Sequence, residues 1–571
     1  MLNLRIFRSP AAKYYQDDVL HGPAAYPDVY FERLVEHGFN AVWLRGILRH
    51  LAASAVFPEL SEEVARHQDA LGTVVARARQ HGVGVFLYLN EPLCVPADHA
   101  FWQAHPELRG AMEEPTADAW CMDPWPRVFA LCTSMPAVRD WLREAAATLF
   151  RDVPELAGWF AITASEHMTH CWSHGAAKAA PPKGCPRCTA RDPLDLVLEV
   201  LTALHDGTKA AKPAATTIAW NWSWNMFAPD PQPTLIERLP RGLALLLDWE
   251  RGGTFKMPSG KPNFIDEYSL SYVGPSERFR LGRDEARRRG VPVLAKLQVG
   301  TTHELATVPN LPLIDHLYEK LRGCEEMGLE GILGTWNFGN MFSLNTAAVG
   351  QFVRQNDRPE PDEFVAQLAR SYFPGADPAG VARAVRQFSA AMAYFPFDMA
   401  LLYNGVANYA LAYPLTAAPL TGKSMGATWM MHPRGDDLSR SLGQFTLEEV
   451  IDLLATMVTH WNRGVGLLES ALAGCRHAHA AEELGVARTI GCCFRSTRNA
   501  YSTYKLRLER PPDLPARFRE VATDEIANLE TALPLLEADP RLGFHAECQG
   551  VQFSAELVRE KLAQLRASLA G

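Results

Sequence analysis

The sequence predicts a (β/α)8 TIM barrel followed by an appended α-helical domain. From the N-terminus to residue 345, short apolar runs alternate with amphipathic segments of helical periodicity, as expected for repeated β-α units. Several amphipathic segments end at a glycine, and the next apolar run follows closely. After residue 346 the strand signals vanish and helical periodicity continues alone. We therefore predict a barrel over 1–345, with an insertion at 167–190, and a helical domain over 346–571.

Eight apolar runs are the candidate strands of the barrel. They are Leu2–Arg8, Asn40–Arg45, Gly84–Asn90, Gly158–Ser165, Thr216–Trp222, Leu243–Asp248, Val291–Gln298 and Gly331–Trp336. Several are rich in Val, Ile, Phe and Leu without alternation, which is typical of strands buried on both faces. An open doubly wound sheet is the main alternative. It predicts a glycine-rich phosphate loop after the first strand, which the sequence lacks.

The amphipathic segments between these runs are the candidate helices. In the barrel they are Tyr30–His37, Ser61–His81, Pro136–Phe150, Pro193–Lys209, Ser276–Arg289 and Leu313–Met327. In the C-terminal region they are Pro361–Tyr372, Val381–Ala393, Leu447–Leu472, Ala480–Leu508, Pro515–Leu533 and a segment from Ala555 onward. A loop rich in Gly, Pro, Met and Thr is predicted between residues 413 and 437, long enough for either a functional arm or a simple surface loop.

Composition excludes several classes of function. The formal net charge of −9 offers no electrostatic basis for binding nucleic acid. No apolar run reaches the ~18 residues that a membrane helix needs, and the N-terminus lacks the pattern of a signal peptide. We therefore expect a cytoplasmic protein without nucleic acid or membrane partners. The eleven scattered cysteines favour reduced thiols, with a metal site among them, over a disulfide framework.

Polar and aromatic side chains follow the predicted strands at the end where barrels carry their chemistry. The candidate binding residues are Arg8, Arg45, Asn90, His167, His170, Trp220, Trp222, Glu250, Gln298, Trp336 and Asn337. Carboxylates, amides and guanidinium groups bind sugar hydroxyls, and indole rings stack on the apolar faces of sugars. This composition is typical of a carbohydrate site.

Cleavage of a glycosidic bond needs a carboxylic acid at the leaving oxygen and a second group at the oxocarbenium-like centre. Glu166, after the fourth strand, is the candidate acid. For the second group we consider Asp248 or Glu250, after the sixth strand. The alternative is that these acids only form hydrogen bonds or salt bridges, and that Arg8 and Arg45 are ion-pair partners within the barrel.

The segment Phe160-Ala-Ile-Thr-Ala-Ser-Glu166 resembles the end of the fourth strand in family 20 glycoside hydrolases and related β-N-acetylhexosaminidases. The resemblance implies a (β/α)8 fold in which Glu166 is the general acid/base. It also implies that an arginine after the first strand, here Arg8, holds sugar hydroxyls. Tryptophans line the sugar pocket of that family, and Trp220, Trp222 and Trp336 correspond to them.

One position departs from the family. Ser165 stands where those enzymes carry an aspartate that orients the 2-acetamido group of the substrate, which itself acts as the nucleophile. Either another acid such as Asp248 takes this role, or the mechanism is not substrate-assisted. Gln298 ends the seventh strand, where many retaining barrel glycosidases place a nucleophilic glutamate. A retaining pair would then require Glu304 to fold back into the site.

A cluster of cysteines and histidines follows Glu166. Two residues separate Cys171 from His174, ten separate His174 from Cys185, and two separate Cys185 from Cys188. This spacing predicts a closed, structural zinc site, although ordinary reduced thiols in a long loop are the alternative. His167 and His170 compete as ligands, but their nearness to Glu166 favours contact with the substrate. No motif for an organic cofactor is present.

The leading prediction is a glycoside hydrolase that removes a terminal sugar, with a β-linked N-acetylhexosamine as the expected substrate. An exo-glycosidase for an acidic sugar, of sialidase or uronic-acid type, is the first alternative, with Arg8 or Arg45 binding the carboxylate. A non-catalytic carbohydrate-binding barrel is the second. The helical domain is expected to wall one side of the cleft or to form the contacts of a homodimer.

Overall fold

The computed structural model describes residues 2–114, 126–164, 167–173 and 184–570. Eight parallel strands form a closed barrel in which each strand pairs with its neighbours in sequence and the last strand pairs with the first. They are β1 (Leu4–Phe7), β2 (Ala41–Gly46), β3 (Gly84–Leu89), β4 (Gly158–Ala161), β5 (Thr216–Trp220), β6 (Leu243–Asp248), β7 (Val293–Lys296) and β8 (Gly331–Leu333). The predicted fold class and all eight predicted strands are confirmed.

Several predicted strands end later than the strands of the barrel, and the difference is largest at β4 and β8. β4 ends at Ala161 rather than Ser165, and β8 ends at Leu333 rather than Trp336. The residues that follow are still buried, with Ile162 and Trp336 at 3% and 7% exposure. The predicted strands are too long because the residues after the paired ones enter the packed mouth of the barrel. Burial there favours apolar side chains just as it does within the strands.

Nine helices of six or more residues follow the strands around the barrel. They are α1 (Asp18–Ala25), α2 (Asp28–Glu36), α3 (Val64–Gln80), α4 (Pro136–Asp152), α5 (Pro193–Ala211), α6 (Pro233–Arg238), α7 (Glu277–Arg288), α8 (Ile314–Glu326) and α9 (Leu344–Arg354), counted among the described residues. The predicted glycine stops are confirmed by left-handed backbone at Gly38 and Gly82, with φ of 81° and 68°.

The inward-facing side chains of the strands form their own apolar core, separate from the core between barrel and helices. Large aromatic rings fill much of this interior. Trp43, Tyr88, Phe160 and Trp220 come from four successive strands, and Trp336 lies above them after β8. The interior is therefore a packed core rather than a channel, as in other barrels of this type.

The C-terminal region is helical, as predicted. Its helices are α10 (Pro361–Tyr372), α11 (Pro378–Met392), α12 (Met399–Asn404), α13 (Leu447–Leu472), α14 (Ala478–Glu509), α15 (Leu514–Ala538) and α16 (Ala555–Ala570). Its loops reach the barrel mouth, where Asn408 Oδ1 accepts the backbone N–H of Ala306 (2.8 Å) and Lys13 Nζ donates to Gln549 (2.8 Å). Within the described ranges, no helix combines the length and apolarity that crossing a membrane requires.

The loop predicted between residues 413 and 437 contains a short antiparallel hairpin, Ser424–Ala427 with Pro433–Gly435. A buried ion pair anchors it, because Arg507 of α14 donates to Asp436 (2.6 Å). The backbone N–H groups of Thr421 and Gly422 also donate to Asp436. Burial alone would raise the pKa of Asp436, but these donors hold it below its ordinary value.

Replacing Arg507 with methionine should destabilise the protein by about 3 kcal/mol, since it leaves a buried carboxylate without its cation. The contribution of Asp436 is present above the pKa it has in the unfolded chain. It disappears as the pH falls through its lower folded pKa. The difference in unfolding free energy between Arg507→Met and the wild type should therefore become smaller at acid pH. Urea unfolding at several pH values measures this.

Arg517→Met provides the matched control, because the Arg517–Asp513 pair is exposed on α15. Its unfolding free energy should stay within about 0.5 kcal/mol of the wild type. Equal urea-unfolding midpoints for Arg507→Met and Arg517→Met would contradict the stabilising role of the buried Arg507–Asp436 pair.

Candidate active site

The floor of the barrel mouth is a cluster of aromatic rings centred on Trp336. Its indole stacks on Trp43 with ring centroids 4.9 Å apart, and its neighbours Trp220 and Tyr88 meet it edge-on at 5.1 and 5.0 Å. Trp220 is fixed by a hydrogen bond from its Nε1 to Asp248 Oδ1 (2.8 Å). The predicted residues Trp220 and Trp336 are thus brought together.

The two arginines after β1 and β2 share one buried carboxylate. Arg8 donates to Asp18 Oδ2 (2.8 Å), and the backbone N–H of Arg45 donates to the same oxygen (2.7 Å). The Arg8 guanidinium also lies 3.9 Å from the Trp43 ring centroid. Arg8 Nη2 and Arg45 Nε have no hydrogen-bond partner among the described residues. Arg8 is an ion-pair partner within the barrel, and each arginine retains a free N–H group.

The residues after β3 connect neighbouring loops. Asn90 Nδ2 donates to the Tyr88 hydroxyl (2.8 Å) and to the Ile162 carbonyl (3.3 Å). Glu91 accepts the backbone N–H groups of Leu48 (2.7 Å) and Leu93 (3.0 Å), and burial raises the pKa of its carboxyl. Asn90 therefore faces the mouth beside β4, whereas Glu91 ties the loop after β2 to the loop after β3.

The candidate acid Glu166, its neighbour Ser165 and the candidate ligand His174 lie outside the described residues. His167 is fully buried, with Nε2 at 3.5 Å from the hydroxyl of Tyr14. His170 is also buried, and its Nδ1 accepts the backbone N–H of Trp172 (3.2 Å). Both histidines belong to the packed base of the loop after β4.

Asp248, at the end of β6, has both carboxylate oxygens engaged. Trp220 donates to Oδ1 as above, and Arg278 of α7 donates to Oδ2 (3.2 Å). Arg278 also donates to Asp230 (3.1 Å). Asp248 is only 2% exposed. Its contacts suit a residue that positions Trp220 and Arg278, and its predicted catalytic role stays a prediction.

Glu250 turns towards the helices that surround the barrel. It is fully buried, pairs with Lys320 of α8 (2.6 Å) and accepts the backbone N–H of Gln298 (3.2 Å). Because α8 supplies its cation, Glu250 is better explained as a link between β6, β7 and α8 than as a sugar ligand. Gln298 Oε1 accepts from Lys296 and Thr335 (each 3.2 Å), while its Nε2 has no partner among the described residues.

Lys296 is a mouth residue that the sequence analysis missed. It is fully buried on β7, and its ammonium lies 3.5 Å from the ring centroid of Tyr268. Burial lowers the pKa of Lys296 to about 8, although the nearby carboxylates Glu250 and Asp248 counter this effect. The signal was available, since a lysine inside an otherwise apolar barrel strand must point at something polar.

Glu267 is the second mouth residue that was missed. It lies half-buried between β6 and α7, just after a short hairpin formed by Gly253–Lys256 and Pro262–Ile265. The Nε1 group of Trp222 donates a hydrogen bond to its carboxylate. Burial raises the pKa of Glu267, and the charge of Asp248 adds to this, while Arg251 and Trp222 lower it. The Asp266-Glu267 pair in an unusually long loop was the available signal.

Asn337 follows β8 at the rim of the barrel. Asn337 is 3% exposed, and neither its Oδ1 nor its Nδ2 has a partner among the described residues. A buried amide without partners costs about 1–3 kcal/mol, so a hydrogen bond to this side chain from water or a ligand would be favourable. Glu304 instead accepts hydrogen bonds from Ser269 and Ser271 and is fully buried, and burial raises the pKa of its carboxyl.

The C-terminal region supplies a wall of the mouth. Trp429 meets His303 and Phe338 edge-on, at 5.1 and 5.2 Å, and its Nε1 donates to Glu547 (2.8 Å). Burial lowers the pKa of His303 to about 3, so this imidazole is neutral near pH 7. The wall is therefore aromatic and largely uncharged where it meets the loop after β7.

The cysteines predicted to bind metal do come together, with one change. Cys171, Cys185 and Cys188 are joined by Cys132, and the four sulfur atoms all lie within 4.8 Å of one another. Cys132 was not among the metal ligands predicted from the sequence.

No protein-family model matches the chain, and no curated protein matches it. Among solved structures, it is similar to a GH138 enzyme targeting pectin rhamnogalacturonan II, with a TM-score of 0.56 at 10% identity over 100% of this chain and 83% of that one. It also matches Flavobacterium johnsoniae chitobiase (TM-score 0.36, 10% identity, 91% and 74% of the two chains). A family 20 β-N-acetylglucosaminidase matches with a TM-score of 0.35 at 14% identity, over 67% and 76% of the chains. At such identities the first of these likenesses establishes a shared fold, and the other two add no argument.

Proposed function

We propose that this protein is a glycoside hydrolase that removes a terminal sugar, with Glu166 as general acid/base. The observation that carries the proposal is the presence, at one barrel mouth, of an aromatic floor and the half-buried carboxylate of Glu267, which accepts a hydrogen bond from Trp222. Because a (β/α)8 barrel is compatible with many reactions, these side chains support a glycosidase more specifically than the fold does. That the similar solved structures are glycoside hydrolases agrees with it.

Two carboxyl groups are needed, and Glu267 is the best second one among the described residues. Asp248 is almost fully buried and both of its oxygens accept hydrogen bonds. Glu267 is half-buried, accepts a hydrogen bond from the neutral indole of Trp222, and lies near enough to Arg251 for its charge to lower the pKa of the carboxyl. A substrate group can therefore reach the carboxylate of Glu267, whereas it would have to displace Arg278 or Trp220 from Asp248.

We propose a β-linked N-acetylhexosamine as the substrate and a substrate-assisted mechanism. Glu166 protonates the leaving oxygen while the acetamido oxygen attacks C1, the glycosidic bond breaks, and an oxazolinium ion forms. Ionised Glu267 accepts the acetamido N–H and stabilises the positive charge, the role for which Ser165 is unsuited. Water then attacks C1 and gives its proton to Glu166. The oxazolinium ring opens, and the sugar leaves with its anomeric configuration retained.

An exo-glycosidase for an acidic sugar is the second candidate, and one observation favours it. Arg45 lines a cavity of about 240 Å³ together with His50 and His67, and its Nε has no partner among the described residues. A uronic or sialic acid carboxylate would pair with this guanidinium. Asp17 and Asp18 line the same cavity and repel an anion, which makes this candidate the weaker one.

Aryl glycosides of N-acetylhexosamines, uronic acids and sialic acid test the function directly. We expect Glu166→Gln to lose about 10²–10⁴-fold in kcat/KM on poor leaving groups and far less on dinitrophenyl glycosides, which need no protonation. Glu267→Gln should lose activity on both kinds of substrate, because its charge acts at C1. Glu277→Gln is the matched control, since Glu277 is exposed in the first turn of α7.

If the protein hydrolyses only uronides or sialosides, its substrate is an acidic sugar and not an N-acetylhexosamine. Full activity of Glu166→Gln would refute the acid assignment. Binding of sugars without any turnover by the wild type would leave the non-catalytic barrel as the function.

The pH profile tests Glu267 separately. In the proposed role Glu267 must be ionised, and its pKa is raised above 4.5. Activity should therefore fall as the pH drops through a value higher than that of an ordinary glutamate. Trp222→Phe removes the N–H group that lowers this pKa, so the acid limb of kcat/KM should move to higher pH.

Trp336→Phe serves as the comparison, since it alters the floor of the site without touching Glu267. It should change KM and leave the acid limb in place. An acid limb that stays unmoved in Trp222→Phe would exclude Glu267 as the group that titrates there.

A further inference from the structure

Four buried cysteines converge beside the loop that follows β4. Cys132 follows the last strand of a three-stranded sheet formed by Val95–Pro96, Arg109–Glu113 and Val128–Leu131. Cys171 lies in the loop after β4, and Cys185 and Cys188 lie in a turn shortly before α5. All four are at most 2% exposed. Three separate pieces of chain therefore meet at one point through sulfur.

The spacing of the sulfur atoms fits a metal and not a disulfide. Cys132 Sγ lies 3.7 Å from Cys185 Sγ and 3.6 Å from Cys188 Sγ. A disulfide bond would require about 2.05 Å. In a tetrahedral site with zinc–sulfur bonds of about 2.3 Å, the sulfur atoms lie about 3.8 Å apart. These two distances match that spacing, and all four sulfur atoms lie within 4.8 Å of one another, close enough to share one zinc ion.

The surroundings of the cluster favour thiolates. The Nε group of Arg187 lies 3.3 Å from Cys132 Sγ, and the backbone N–H of Ala111 lies 3.4 Å from Cys171 Sγ. The hydroxyl of Ser134 lies 3.1 Å from Cys188 Sγ. Zinc with four thiolates carries a net charge of −2, which hydrogen-bond donors and a guanidinium offset. Gly110 leaves room for one sulfur, because a Cβ there would lie 2.6 Å from Cys171 Sγ.

We propose that Cys132, Cys171, Cys185 and Cys188 bind one structural zinc ion. This ligand set replaces the Cys3His set expected from sequence, in which His174 was the fourth ligand. Four thiolates select a soft or borderline metal and leave no open position for water, so the ion has no catalytic role. The proposal does not depend on the function of the barrel.

The site would fix the loop that carries Glu166. The ion connects the sheet inserted after β3 to both parts of the loop between β4 and α5. A backbone hydrogen bond also connects the chain before this sheet to the loop after β4, because the N–H of Cys94 donates to the Met168 carbonyl (3.0 Å). A consequence for catalysis, which rests on the proposed function, is that loss of zinc should lower kcat by loosening this loop.

Zinc content and zinc K-edge absorption spectroscopy of the full chain, purified without chelators, test the site. We expect one zinc per chain with four sulfur neighbours at about 2.3 Å. Three sulfur neighbours and one nitrogen would restore His174 and overturn the four-cysteine set. Absence of zinc after expression with added zinc salt, iron in its place, or disulfides among these cysteines would each refute the proposal.

Matched variants separate the two ligand sets. Cys132→Ser should lose zinc during dialysis that leaves His174→Ala with one zinc per chain. Cys475→Ser, at a cysteine outside the cluster, should also retain it. Arg187→Ala should weaken zinc binding about 10-fold, through loss of its contact with Cys132. Retention by Cys132→Ser together with loss from His174→Ala would contradict the proposal.

If Cys132→Ser fails to fold, the wild type still decides the question. Removing zinc with a strong chelator should increase amide hydrogen exchange in residues 167–173 and 184–192, and added zinc should reverse it. Exchange that is unchanged by the chelator, with zinc removed, would refute the role in holding this loop.

Discussion

The packing of aromatic rings inside the barrel decides where polar chemistry can occur in this protein. Trp43, Tyr88, Phe160 and Trp220 fill the interior, and Trp336 covers them from above. Since these rings occupy the interior, many polar groups of the strands lie at the residues just beyond the rings. Because all eight strands are parallel, those residues share one rim, and the long loops that follow the strands bring further groups to it.

At this rim, most buried carboxylates are matched by a cation. Asp18 binds Arg8, Asp248 binds Arg278, and Glu250 binds Lys320. Such pairs hold loops and strands in place but leave little binding capacity for a substrate. Glu267 is half-buried instead and accepts a hydrogen bond from the indole of Trp222, although the charge of Arg251 is near enough to lower its pKa.

The sequence predicts local structure well and long-range pairing poorly. Every barrel strand was recognisable because burial on both faces requires a run of apolar residues, and Gly38 and Gly82 mark helix ends through their backbone conformation. Cys132, by contrast, lies far along the chain from Cys171, and only the folded sheet brings them together. Asp248 and Glu250 were considered as the second catalytic group, and Glu267 was not, for a related reason. A strand end is visible in the sequence, but the return of a long loop to the mouth is not.

The loop after β4 depends on both local and long-range contacts. The hydroxyl of Thr169 donates to the Thr163 carbonyl (2.7 Å), which joins the chain on either side of Glu166. His167 contacts Tyr14, whose ring packs edge-on against Trp336 at 5.5 Å. The aromatic floor thus supports the loop from one side, and the four cysteines adjoin it on the other. An acid that must meet a glycosidic oxygen within a fraction of an ångström needs support of this kind. The aromatic floor of the barrel provides the first of these two supports, and the proposed zinc site would provide the second.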